Sequence, residues 1–138
     1  MTKEEVIDLI TDAGFGLLAT TDGAQPHVRP MMPYLTDDGK KLLIALLGHS
    51  RSIKEAAQNP QVEVCFVDRK MWFARVSGKA RISDNKENKE LLWNVIPMLK
   101  QYFGGANDPK FVLMEIDIAK VEASTPHQKA PETISIAG

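Results

Sequence analysis

A chain of 138 residues with 17 basic and 18 acidic side chains, net charge −1, is the length of one domain and carries no charge footprint for nucleic acid or an anionic membrane. Cys65 is its only cysteine, which excludes an internal disulfide and a cysteine-built metal centre and fits a reducing, cytoplasmic setting. No window reaches membrane-span length, and the N-terminus "MTKEEVIDLITDAG" lacks the apolar run of a signal peptide, so a soluble protein with no membrane partner is expected.

The chain opens with a predicted helix. Thr2 and Glu5 match a capping box, Val6, Leu9, Ile10 and Ala13 share one face, and Gly14 stops it. Strands follow at Phe15 to Thr20, Gln25 to Met32 and Lys41 to Leu47, with turns at Asp22-Gly23 and Asp38-Gly39. A short helix from Ser50 ends at Asn59-Pro60. Beyond it lie strands Gln61 to Val67 and Met71 to Ser83, separated by a turn at Asp68 to Lys70, then a helix from Asn85 into the Pro97 region and a last strand, Phe111 to Ile118. In the long strand Trp72, Ala74, Val76, Gly78, Ala80 and Ile82 alternate with Phe73, Arg75, Ser77, Lys79 and Arg81, so one face is expected in the core and the other carries cations. Six strands joined by tight turns suggest a small antiparallel barrel, in which closure removes the edges.

Donor chemistry concentrates on one turn. The apolar strand "KLLIALL" runs directly into "GHSRSIKE", where a helix begins. Ser52-Ile53-Lys54-Glu55 matches a capping box, and the other first-turn amides, with Ser50, Arg51 and Lys54, would form an anion pocket. The same residues also describe an ordinary capped helix with two solvated cations. Upstream, "QPHVRPMMP" places Gln25, His27, Arg29 and Met31 on one face, and prolines at 26, 30 and 33 leave part of its backbone outside a ladder. A planar ring could lie there, with Arg29 supplying charge; an edge strand with one exposed arginine fits equally.

Other chemistries find no support. His27, His49 and His127 lack metal-ligand spacing, so no metal is expected. The serines have no G-x-S-x-G elbow. "GFG" at 14 to 16 and "FGG" at 103 to 105 do not sit between a strand and a helix as a dinucleotide fingerprint requires.

The ordered set "VRPMMP", apolar strand, "HSRSIKEAAQNPQVEVCF", then "WFARVSGKARISD" and a helix resembles the pyridoxamine 5′-phosphate oxidase-like family, the FMN-binding split barrels, over roughly Gly14 to Asp117. "PMLKQYF" and "DPKFVLMEI" are similar to a small branch of it. The resemblance implies a mainly β fold, a six-stranded antiparallel split β-barrel with flanking short helices over residues 1–125, followed by a C-terminal tail at 126–138. It implies FMN as cofactor and a homodimer with cofactor sites at the subunit interface. Ser50, Arg51 and Ser52 map onto the phosphate-gripping segment, with His49 and Lys54 beside them as further candidates. Arg29, Pro30 and Met31 map onto the flavin-edge strand, Leu46 and Leu47 run along the cofactor, and Trp72 and Arg75 are candidates for contacts from the other protomer.

Two departures qualify the resemblance. Ser52 stands where the family usually has a basic residue, and Leu46 replaces a threonine. True pyridoxamine 5′-phosphate oxidases close their site with a C-terminal segment rich in arginine and tryptophan, whereas "VEASTPHQKAPETISIAG" has neither, so vitamin B6 oxidation is not expected. The implied function is an FMN-dependent reductase or oxidase on some other small molecule, with NADH or NADPH as candidate electron donor and no side chain singled out as catalytic. A non-catalytic carrier of flavin, deazaflavin or haem, and a dimeric scaffold with an empty cleft, are the alternatives.

Overall fold

The opening helix, α1 (Lys3–Asp12), forms where its cap predicts. Thr2 Oγ1 accepts from the Glu5 amide at 3.1 Å, and Glu5 Oε1 accepts from the Thr2 amide at 2.9 Å, in this computed structural model of residues 1–138. Val6, Leu9 and Ile10 are buried, and the helix covers one side of the sheet.

Eight strands, not six, make the sheet: β1 (Gly16–Thr21), β2 (Pro26–Met31), β3 (Tyr34–Leu35), β4 (Lys41–Leu47), β5 (Gln61–Val67), β6 (Phe73–Ser83), β7 (Phe111–Ser124) and β8 (Glu132–Thr133). The two unexpected ones are two residues each, too short to show an alternation. All pairings are antiparallel, in the order β2-β1-β5-β6-β7-β4-β3 with β8 on β7. No ladder joins β2 to β3, so the sheet curls into a half-barrel and keeps its edges. Pro26 and Pro30 sit on the β2 edge, where a missing donor does no harm.

The last long strand runs past Ile118 to Ser124 because a bulge resets its register. Ser77 pairs with Lys120 and Gly78 with Ile118, leaving Ala119 unpaired. Gly78 is required there, since an added Cβ would meet the Asp117 carbonyl. At the far end of β6 the expected core row fails: Ile82 is exposed, beyond the layer that covers its neighbours.

Helices α2 (Arg51–Gln58) and α3 (Lys86–Val95) follow β4 and β6, and a 3₁₀ turn (Pro97–Gln101) continues α3 after Ile96. Two cores result. The inner one joins Leu42, Ile44 and Leu46 of β4 to α1 and the concave face of the sheet, and the outer one packs Leu43, Phe111 and Leu113 under Leu92, Ile96, Leu99 and Phe103. The continuous run of β4 is explained by this burial on both faces.

Residues after Pro126 rest on their own sheet. Glu132 and Thr133 pair with Ala123 and Glu122, Ile136 is buried in the inner core, and the Gly138 amide donates to the Asp38 carbonyl at 3.0 Å. Gly39 adopts φ 70° against the Ile136 carbonyl, a conformation and clearance that only glycine supplies. No helix is long and apolar enough to cross a membrane.

Candidate functional site

A cleft of about 680 Å³ opens where β2, the end of β4 and the start of α2 face the 3₁₀ turn. Of the sequence-predicted residues, Arg29, Pro30 and Met31 form one wall, Leu46 and Leu47 the floor, and Ser50 and Ser52 one end. The opposite wall was not foreseen. It consists of Met98, Leu99, Tyr102 and Phe103, with Phe15 at the rim. Ten of the 15 lining residues are hydrophobic, and Arg29 is the only charged one, so the cavity suits an apolar body with an anionic end.

The polar end is built by a strand handing over to a helix. Gly48 and Ser50 donate their amides to the carbonyls of Lys110 and Leu47, both at 2.9 Å, which turns the chain tightly into α2. Ser50, not Ser52, is the N-cap, and its side chain makes no capping bond. The expected Ser52–Glu55 box is therefore absent: Ser52 lies inside the helix and is buried, and Glu55 turns away toward the sheet. The first-turn amides are left without a side-chain partner and the helix dipole is uncompensated, since no acidic residue lies in that turn.

Behind this turn Glu55, 3% exposed, organises a cluster that sequence reasoning missed. Thr20 Oγ1 donates to Glu55 Oε1 at 2.6 Å, and Arg29 Nη1 donates to Thr20 Oγ1 at 2.7 Å and to the carbonyls of Leu18 and His27 at 3.3 Å each. Arg29 Nη2 stands 3.8 Å from Glu55 Oε1, and Arg51 Nε 3.5 Å from Glu55 Oε2. The Thr20 hydroxyl holds the Glu55 carboxyl below its usual range against the opposing pull of burial, with His27 and Arg51 adding to the effect. Burial pushes the Arg29 guanidinium down while Glu55 pulls it back. Two features signalled the cluster: Arg51 and Glu55 at i, i+4, and His27 and Arg29 on one strand face.

Asp22, His27 and Glu55 bring ligand-capable atoms within 4.8 Å of one another, a grouping the linear spacing concealed. Arg29 and Arg51 within 4 Å of the same carboxylate weigh against a further cation there. Cys65 lies apart from the cleft, and burial pushes its thiol up, away from nucleophilic use.

The remaining predicted residues stand outside the cleft of a single chain. His49 and Lys54 are exposed on the turn and on α2. Arg51 is 64% exposed at the helix start. Trp72 lies under Lys70 Nζ, 5.7 Å from the ring centroid, and Arg75 covers the Phe73 ring at 5.3 Å and reaches Glu122 at 3.9 Å.

The family described as "Pyridoxamine 5'-phosphate oxidase like" matches residues 1–137, nearly the whole of this architecture. The chain belongs to that family. Among its relatives, General stress protein 26 of Bacillus subtilis (strain 168) is 26% identical over 141 residues, which cover 97% of this chain and 96% of that one. The structure of General Stress Protein 26 from Bacillus anthracis superposes with a TM-score of 0.81 at 26% identity, covering 96% of each chain. The fold also recurs in a pyridoxamine 5′-phosphate oxidase-related, FMN binding protein from Nostoc punctiforme, with a TM-score of 0.68 at 15% identity over 94% of this chain and 85% of that one. In this pyridoxamine 5′-phosphate oxidase-like chain, the seven cleft-lining residues expected from sequence run from Arg29 to Ser52, over two strands and a helix start.

Proposed function

We infer that this chain is an FMN-binding flavoprotein, an oxidoreductase acting on a small molecule as a homodimer. The observation that carries this reading is the polarity of one cavity: an uncapped helix start with Ser50, Ser52 and nearby arginines at one end, and a slot of Met31, Leu46, Leu47, Met98 and Tyr102 at the other. That pattern fits a phosphate joined to a planar ring, and the FMN binding relative shares the fold. FMN, when bound, supplies hydride and electron transfer, for which NADH or NADPH is the natural donor.

The chain's own residues bind and orient. Charge-assisted hydrogen bonds to phosphate contribute about 1.5 to 3 kcal/mol each, so two or three give roughly 3 to 9 kcal/mol before ordering costs, against about 8 for micromolar affinity. Ring burial in the apolar slot must make up the difference. No carboxylate, histidine or lysine lines the cleft, and its one phenol, Tyr102, stands 51% exposed at the mouth. That observation favours the second reading, a flavin carrier without turnover.

Phe15, Met98 and Tyr102 are 52%, 43% and 51% exposed around the cleft mouth, an apolar rim of the kind a second copy covers. Tyr102→Asp is expected to shift the dimer to monomer in sedimentation velocity and to weaken FMN in parallel. An unchanged sedimentation coefficient would count against closure by a second copy.

Fluorescence-monitored titration tests the cofactor. FMN is expected to bind in the micromolar range, riboflavin far more weakly, and Arg51→Ala is expected to raise the FMN Kd by roughly 10- to 100-fold. Equal affinity of wild type and Arg51→Ala would remove the phosphate from the start of α2. Bleaching of the bound flavin by NADH or NADPH in stopped flow, followed by reoxidation, separates the enzyme from the carrier.

A further inference from the structure

We propose that Glu55 is a positioning residue for the phosphate-gripping guanidiniums and that His27 takes up a proton when phosphate arrives, so that FMN binding is proton-coupled. The inference rests on the FMN reading above. It starts from two buried atoms, His27 Nδ1 and Glu55 Oε2, which face each other at 2.8 Å with no other hydrogen-bond partner for either. Buried polar atoms left in this way are rare and costly.

Four charged side chains surround His27. Asp22 approaches from the turn between β1 and β2, Glu55 and Arg51 from α2, and Arg29 from the same strand, with the Thr20 hydroxyl neutral on β1. Among these neighbours two carboxylates face two guanidiniums, so their charges balance one another. The two arginines differ in freedom. Arg29 is tied by Thr20 and two carbonyls, whereas Arg51 is mostly exposed and holds Glu55 only at 3.5 Å.

A phosphate at the head of α2 brings a charge of about −1.5 to −2 at neutral pH. Arg51 then leaves Glu55 for the phosphate. Glu55 keeps Arg29 at 3.8 Å from Oε1, but Oε2, on a side chain only 5% exposed, loses the nearer guanidinium where water cannot replace it. His27 is the one group in reach that can restore a positive charge, and histidine is the side chain that ordinarily titrates between about pH 5 and 8. Protonated, it is held between Glu55 and Asp22. Proton and phosphate therefore bind with positive coupling.

The test is calorimetric and spectroscopic binding of FMN between pH 6.5 and 8.5. In buffers of differing ionisation enthalpy, wild type is expected to take up close to one proton per FMN, and its affinity to rise up to about tenfold per unit of falling pH. The phosphate's own second ionisation, near pH 6, acts in the opposite sense and cannot mimic this. Riboflavin is expected to show no uptake. His27→Gln and Glu55→Gln are each expected to bind FMN with a flat profile. FMN binding by wild type without proton uptake, or the same slope in His27→Gln, overturns the coupling and leaves the FMN assignment standing; no FMN binding at any pH overturns that assignment and the coupling with it.

Discussion

Phe111→Ala is expected to destabilise the protein by about 3 to 5 kcal/mol, the usual cost of emptying a fully buried aromatic site. Phe111 is 1% exposed, pairs with Leu47 at the start of β7, and stacks on Phe103 with centroids 4.9 Å apart. It lies at the centre of the outer core, between β4 and the layer formed by α3 and the 3₁₀ turn. The cavity left by alanine would undermine Leu99 and Phe103, which form the far wall of the cleft. Loss of stability and loss of flavin affinity are therefore expected together, by urea unfolding and by FMN titration. Phe111→Leu keeps most of the volume and should recover most of both. A stability change under 1 kcal/mol for the alanine variant would mean that the outer layer does not depend on this ring.

The elements that carried their own punctuation were legible. The helix capped by Thr2 and Glu5, the Asp22-Gly23 and Asp38-Gly39 turns, and the alternation of Ala74, Val76 and Ala80 all formed where local chemistry required. What escaped depends on tertiary pairing. Tyr34-Leu35 and Glu132-Thr133 are strands only because β4 and β7 offer them an edge. The extension of β7 to Ser124 needs the bulge opposite Gly78, and no pattern in Ala119-Lys120 announces it. Whether the sheet closes is decided by its two end strands. The prolines of β2 marked an edge, and a split barrel, unlike a closed one, keeps it.

The same division runs through the site. Arg29, Pro30, Met31, Leu46, Leu47, Ser50 and Ser52 were brought to one cleft, since each lies on a strand end or turn whose place follows from local order. The far wall was hidden because Met98 to Phe103 reach the cleft only through the packing of α3 on the outer face of β4 and β7. Ser52-x-x-Glu55 misled for a physical reason. The capping-box spacing says nothing about competitors, and Thr20, 35 residues away, holds the Glu55 carboxylate at 2.6 Å in a buried contact that an exposed helix end cannot match.

Glu115→Gln is expected to cost about 2 to 3 kcal/mol at pH 7 and almost nothing near pH 2. Glu115 is 3% exposed on β7, and burial opposes its ionisation. Ser83, Arg81, Asn88 and Lys41 outweigh burial and lower its pKa from an ordinary 4.5 to about 2. Arg81 Nη2 donates to Oε1 at 2.8 Å, Lys41 Nζ to Oε1 at 3.4 Å, and Asn88 Nδ2 to Oε2 at 3.3 Å, so β6, β4 and α3 all meet on one carboxylate. A depressed carboxyl stabilises the fold fully above the unfolded value, and that stability drains away as pH falls from about 5 through 2. The shift alone would be worth roughly 3 kcal/mol, reduced by solvent around the half-exposed Arg81. Urea unfolding at pH 7, 5 and 3 should therefore show wild type converging on Glu115→Gln as the acid limit is approached; parallel curves would contradict this. The acid window is separate from the one assigned to His27. Between pH 6.5 and 8.5 Glu115 stays ionised, so it contributes nothing to the strengthening of FMN binding expected there, whereas weakening near pH 3 would reflect release of α3 and of the cleft wall that follows it.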